Sequence, residues 1–245
     1  MQHIVVCAAT SGIMQALLRV WATEPQAKHV CLVGRNIVRL QQMQADLQIR
    51  SPASIYEVHV CDLNDVPQFV RFLDERSHID LICLAQGVLS NQQDCEQDLD
   101  AAHAAFESNA VAPALCALKS ADYFFRQGYG HLVLFGSVAG DRGRQSNYVY
   151  GASKALLDRL SEGLQHRFAN SRIHVTLIKP GPTDTAMTAH LKTAGVRLAP
   201  VEQVAADIND AIRQKAWVLY TPRRWRWIML ILRHFPRIVF HRLKI

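Results

Sequence analysis

Seven short apolar runs, each separated from the next by a longer amphipathic stretch, constrain this chain more than any other feature. The runs are "HIVVCA" (3–8), "HVCLVG" (29–34), "SIYEVHV" (54–60), "IDLICLA" (79–85), "GHLVLFGS" (130–137), "RIHVTLIKP" (172–180) and "AWVLYT" (216–221). Stretches with helical periodicity lie between them, at 12–23, 36–49, 65–76, 99–127, 147–169 and 201–214. Continuous Val, Ile and Leu, rather than strict alternation, marks strands covered on both faces. Strand followed by helix throughout implies right-handed crossovers in a parallel sheet. The expected fold class is therefore α/β. It is a single Rossmann-type doubly wound parallel sheet of about seven strands with helices on both faces, carried by residues 1–221. A chain of 245 residues is long enough to bury such a core in one domain.

Charge is unevenly placed. Eight of the 27 Lys and Arg residues lie from Lys215 onward, where no acid occurs, which leaves 19 cations against 21 acids in the body. Residues 222–245 thus read as a basic, apolar helical appendage to the domain. The six cysteines show neither paired spacing nor a zinc pattern, and no metal site is expected. Cys7, Cys31, Cys61 and Cys83 fall in or beside the strand runs, where a reduced thiol packs as a small hydrophobe, and this favours the cytoplasm. The chain enters its first strand with no charged region, apolar core and cleavage site, so no signal peptide is expected. No run reaches the ~20 apolar residues of a spanning helix.

"CAATSGIM" (7–14) occupies the first strand-to-helix turn, where a dinucleotide pyrophosphate meets backbone N–H groups and the positive end of a helix dipole. Ala9, Thr10, Ser11, Gly12 and Ile13 are the candidate contacts, although one glycine also suits an ordinary tight turn. Arg35 follows the second strand, beside the expected adenosine ribose. An arginine there can bond the 2′-phosphate of NADP, whereas an acid would bind the free hydroxyls of NAD. NADP(H) is expected first and NAD(H) second, with a plain solvated surface role as the alternative for Arg35. Asp62, with Leu63, ends the third strand where it could meet the adenine edge or cap the next helix.

The most specific constellation is "YVYGASK" with "FGSVAG" upstream. Tyr150 and Lys154 are four apart in a helix-like stretch and share a face. An ammonium near a phenol favours the phenolate and is expected to lower the tyrosine pKa toward a value useful for proton transfer. Ser137 ends the preceding strand, at the edge where such sheets bind ligands, and its hydroxyl can hold a carbonyl oxygen beside the tyrosine. Tyr148 lies six from Lys154, a spacing that points it elsewhere.

With these residues the chain resembles the short-chain dehydrogenases/reductases over essentially residues 1–220. The resemblance implies that Tyr150 is the general acid/base, that Ser137 orients substrate, that Lys154 assists and that Asn109 of "FESNAVAP" completes a proton relay. "KPGPTDT" resembles the family's proline-glycine motif, implying that Pro180, Gly181, Thr183 and Thr185 border the nicotinamide. "LAQG" stands where the family usually has Asn-Asn-Ala-Gly, so Ala85 and Gly87 border the cofactor with only the glycine retained. Against the usual "TGxxxGIG", Cys7, Ala8 and Met14 replace Thr, the first Gly and the third Gly. A turn glycine and a packing glycine are thereby lost, while Gly12 is kept.

The tail reads "YTPRRWRWIMLILRHFPRIVFHRLKI". One helix is expected near 223–234 and another after Pro236, since proline ends or kinks a helix. Arg and Trp interleaved with an apolar stretch suit a segment lying in a lipid interface. Packing on the body or on another subunit is the competing reading. No nucleic-acid motif accompanies the basic residues.

The tail is also similar to that of a subgroup of the family, the reductases of bacterial cell-wall polysaccharide synthesis that resemble decaprenylphosphoryl-2-keto-ribose reductase. That resemblance implies an oxidoreductase reducing a keto-sugar on a polyprenyl phosphate at the inner face of the plasma membrane, alongside a partner oxidase. Two other functions stay open: a soluble reductase of a fatty-acyl or other small carbonyl substrate, and an inactive cofactor-binding relic. The family resemblance implies a homodimer or homotetramer.

Overall fold

A computed structural model describes residues 2–242. Seven strands form one parallel sheet: β1 (His3–Cys7), β2 (His29–Gly34), β3 (Ile55–Val60), β4 (Leu81–Leu84), β5 (Gly130–Phe135), β6 (Ile173–Pro180) and β7 (Val218–Thr221). Their order is β3-β2-β1-β4-β5-β6-β7. The order reverses between β1 and β4, and a crevice opens there at the carboxyl ends of the strands.

Within β1 successive side chains serve opposite cores. Ile4 and Val6 face a cluster that includes Leu17 and Leu18 of α1 (Gly12–Ala22), Leu40 and Leu47 of α2 (Ile37–Arg50) and Ile208 of α9 (Val201–Arg213). Val5 and Cys7 face a second cluster, with Phe69 and Phe72 of α3 (Val66–Asp74), Phe124 of α6 (Ala112–Gln127) and Leu164 of α7 (Tyr148–Arg167). This double coverage is why the strands read as unbroken apolar runs. All six cysteines are buried and free. Burial pushes Cys31 and Cys116 up to about 12, so both stay thiols at neutral pH.

The stretch 99–127 is one rod in three parts: α5 (Leu99–Phe106), a π-helical segment over Glu107–Val111, and α6. Pro113 in the first turn of α6 has no N–H to give the carbonyl of Asn109 four residues earlier, and the helix loosens there. Two short helices carry no periodic signal in the sequence, α4 (Gln92–Gln97) and α8 (Ala189–Thr193), and both flank the crevice. The tail forms α10 (Arg224–His234) and α11 (Arg237–Phe240), near the expected bounds. Lys244 of the cationic tail lies outside the described residues.

Candidate active site

A cavity of about 800 Å³ opens at the carboxyl edge of the sheet. Thr10, Ser11, Gly12 and Ile13 line it from the β1–α1 turn, Ala85 and Gly87 from the end of β4, and Pro180, Gly181, Thr183 and Thr185 from the end of β6. Ser137, Tyr150 and Lys154 line it between these groups. Thr185 lies directly over Gly12, where an added methyl would stand 2.8 Å from the threonine methyl. Ala9 is buried beneath the turn. Arg35, Asp62 and Leu63 are not part of this wall. Arg35 and Asp62 are exposed at the ends of β2 and β3, and Leu63 is buried in the second core cluster. Asp62 forms a local turn by accepting from the Asn64 N–H at 3.0 Å, and the cap of α3 is Asp65 instead.

Two departures at the first turn are accommodated differently. Ala8 adopts φ 56°, the left-handed region that glycine enters freely and alanine does not. Met14 is fully buried in the first core cluster, so the added side chain is absorbed by packing there.

Asn109 is fully buried in the π-helical segment. Its Nδ2 donates to the Ala105 carbonyl at 2.9 Å, and its Oδ1 accepts from the Val88 N–H at 2.9 Å. It therefore does not line the cavity but pins the loop after β4. Gly87, at φ 152°, lies between it and Lys154: a Cβ there would stand 2.7 Å from Asn109 Oδ1 and 3.1 Å from Lys154 Nζ.

Ser137 caps the short 3₁₀ turn at Val138–Asp141, its Oγ accepting from the Ala139 N–H at 3.1 Å. Tyr150 and Lys154 project from one face of α7, the ammonium 5.8 Å from the phenol ring centroid. Burial pushes the Tyr150 pKa up, and hydrogen bonding with Ser137 only partly offsets this. The expected lowering by Lys154 is therefore absent. Burial pulls Lys154 itself down to about 8 against the raising effect of Asp158, and its Nζ donates to the Phe135 carbonyl at 3.0 Å. Tyr148 is exposed and donates to Glu96 at 3.0 Å, away from Lys154.

Behind Lys154 lies an ionic cluster that sequence spacing does not disclose. Asp158, one turn further along α7, pairs with Lys179 of β6 at 2.5 Å, and Lys179 also pairs with Asp141. The Tyr220 hydroxyl of β7 donates to Asp141 at 2.9 Å. Burial opposes the Lys179 charge, but Asp158 and Asp141 outweigh it and hold that pKa up.

The tail packs against this region. Arg142 donates to the Phe235 carbonyl at 2.8 Å and to the Leu232 carbonyl, and stacks on the Phe240 ring. The Trp225 indole lies against Gly181, where a Cβ would stand 2.0 Å from the indole nitrogen.

The wall fits a dinucleotide. No side chain caps the first turn of α1, which leaves its leading N–H groups for an anion. The Gln86 amide, buried at the end of β4 on the cavity wall, has no hydrogen-bond partner on either atom. Residues 2–195 match the family described as short chain dehydrogenase. The chain belongs to the short-chain dehydrogenase family. It is accordingly an NAD(P)-dependent oxidoreductase.

Two relatives resemble it along nearly their whole length. An uncharacterized oxidoreductase of Mycobacterium tuberculosis is 33% identical, with 94% of this chain and 91% of that relative aligned. One from Staphylococcus epidermidis is 27% identical over 87% and 92% of the two chains. Among solved structures, a short-chain dehydrogenase from Sphingobium yanoikuyae in complex with NADPH superposes with a TM-score of 0.82 at 23% identity, covering 97% of each chain. A short chain dehydrogenase from Burkholderia cenocepacia in complex with NADP gives 0.82 at 22% identity, covering 99% of each. These two share the fold of this family member.

Proposed function

We propose that this short-chain dehydrogenase is an NADP(H)-dependent carbonyl reductase whose substrate is a keto-sugar on a polyprenyl phosphate. Ser137, Tyr150 and Lys154 converging on one cavity is the observation that carries the reductase chemistry. Thr10 to Ile13, Ala85, Gly87, Lys154 and the Pro180–Thr185 segment would hold the dinucleotide, with exposed Arg35 free to meet a 2′-phosphate beyond the cavity. Bound there, reduced nicotinamide supplies a hydride. Ser137 orients the carbonyl oxygen, and Tyr150, kept protonated by its burial, donates to it. Lys154 holds the ribose hydroxyls and helps return a proton to Tyr150 through water anchored at Asn109. Pro113 suits Asn109 to this role by withholding the N–H that would occupy its carbonyl.

Support for a membrane location comes from the tail, taken as an appendage over 222–245. Trp225, Met229 and Leu232 turn toward the body at helical spacing, with Met229 fully buried. Trp227, Leu230 and Ile231 are exposed on another face, with Ile238 beyond them. Arg223, Arg224, Arg226, Arg233 and Arg237 are exposed around this apolar stripe. Such a surface suits the anionic cytoplasmic leaflet, and no described helix is long and apolar enough to cross a membrane. A partner oxidase acting on the same sugar would supply the ketone. Leu115, Leu118 and Phe125, exposed on α6, support a homodimer or homotetramer.

The grip of Arg142 on the tail and the seating of Trp225 on Gly181 favour one alternative: a reductase of small soluble ketones in which the tail walls the substrate cavity. Reduction by NADPH of a polyprenyl-phosphoryl keto-sugar in anionic vesicles separates the two. The membrane reading predicts turnover on vesicles, lost with their binding when residues 222–245 are deleted. Equal vesicle binding by the truncated chain, with turnover of soluble ketones alone, contradicts it.

A further inference from the structure

Three side chains of the cavity lining leave polar atoms buried and unpartnered: Ser90 Oγ, Arg144 Nε and Asn147 Oδ1. They come from two segments, the loop between β4 and α4 and the loop running from Ser137 to Tyr150. Both segments line the cavity that Ser137 and Tyr150 also line. A buried donor or acceptor without a partner is unfavourable, and native proteins leave few of them. Three on one wall signal groups that another molecule satisfies.

Asn147 makes the signal sharper. It is the N-cap of α7, a position where asparagine ordinarily bonds the helix's own N–H groups, yet its side chain makes no such bond. Arg144 is half-buried and forms no ion pair with any described acid. Burial alone pulls its pKa down, with no carboxylate to oppose it. Glu96, the one carboxylate on the cavity wall among the described residues, already accepts from Tyr148 and from Gln92 at 3.1 Å. The lining therefore holds a half-buried guanidinium whose Nε has no partner, together with a hydroxyl and an amide oxygen in the same state.

We propose that Ser90, Arg144 and Asn147 form a substrate subsite for an oxyanion flanked by hydroxyls, with Arg144 taking the anion. This rests on the carbonyl-reductase reading and names what that site recognises besides the ketone. A guanidinium matches a phosphate or carboxylate with paired N–H donors, and the serine and asparagine match neighbouring hydroxyl groups. A sugar phosphate, free or esterified to a lipid, has this chemistry. An apolar ketone would leave all three groups unpaired.

The test is calorimetric titration of the full chain with ribose phosphate, ribose and inorganic phosphate, repeated on Arg144→Gln and Arg144→Lys. Arg144 holds no other part of the fold, and a thermal melt of each variant verifies that. The subsite predicts saturable binding of ribose phosphate, tighter than that of either fragment. It predicts a loss of about tenfold or more in Arg144→Gln and a smaller one in Arg144→Lys. Undetectable binding, or equal affinity in wild type and Arg144→Gln, overturns it. Competition with farnesyl phosphoryl ribose identifies the source. Stronger displacement by the lipid ester supports the subsite with a lipid-borne ligand, and equal displacement supports it with a free sugar phosphate. Arg144-dependent binding without any NADPH-dependent carbonyl reduction would retain the subsite and overturn the reductase reading. Tyr150-dependent reduction of simple ketones without ribose phosphate binding would do the reverse.

Discussion

Ala8 holds a left-handed backbone where the family carries a glycine, so the strain sits at one identified residue of the cofactor turn. Left-handed geometry disfavours an L side chain by about 1–2 kcal/mol, and glycine's greater unfolded entropy returns about 0.5–1 kcal/mol of that. Ala8→Gly is therefore expected to stabilise the chain by up to about 1 kcal/mol. Denaturant unfolding reads it, and an unchanged midpoint would mean the turn is not strained as described. Arg35, proposed to meet the 2′-phosphate, is exposed and makes no ion pair with a described residue. Arg35→Asp should weaken NADPH by about tenfold or more in a fluorescence titration while leaving NADH near its wild-type affinity. An equal loss for both would remove the 2′-phosphate contact. Arg35 stands out as a candidate in the sequence because it follows a strand directly. Arg144 does not, since the unpartnered burial of its Nε shows only in three-dimensional packing.

Helix α7 carries Tyr150, Lys154 and Asp158 on successive turns, and its burial sets their protonation. Lys154 titrates near 8 in the folded chain and near the usual lysine range when unfolded. Between those values the unfolded chain binds more protons, so this group's contribution to stability rises with pH above about 8. Its contribution to activity runs the other way. As the ammonium loses its proton, kcat/KM for reduction should fall above about pH 8, and Asp158→Asn should move that limb to lower pH by removing the carboxylate that supports the charge. A limb that stays in place in Asp158→Asn would detach Asp158 from Lys154. The Tyr150 and Lys154 pair could be read from a four-residue spacing. The Asp158, Lys179 and Asp141 cluster joins α7, β6 and the turn after β5, and no local period encodes it. Helices α4 and α8 were missed for a related reason, being too short to show a face.

At the scale of the whole chain, the single parallel sheet, its crossovers and the placement of the site at the carboxyl edge were implied by apolar runs alternating with amphipathic ones. Double coverage of the sheet by two cores made that pattern unusually plain. What remained unreadable was the two-sided tail, whose inner face is set by Arg142 and Gly181, residues far from it in sequence. The body supplies a nicotinamide-dependent proton and hydride transfer, and every further assignment depends on Tyr150 being its acid. The most direct measurement is NADPH-dependent ketone reduction by wild type and Tyr150→Phe, with NADPH binding titrated in parallel. A fall in kcat of about a hundredfold or more with NADPH affinity preserved is the expected result. Reduction by Tyr150→Phe at the wild-type rate would contradict it.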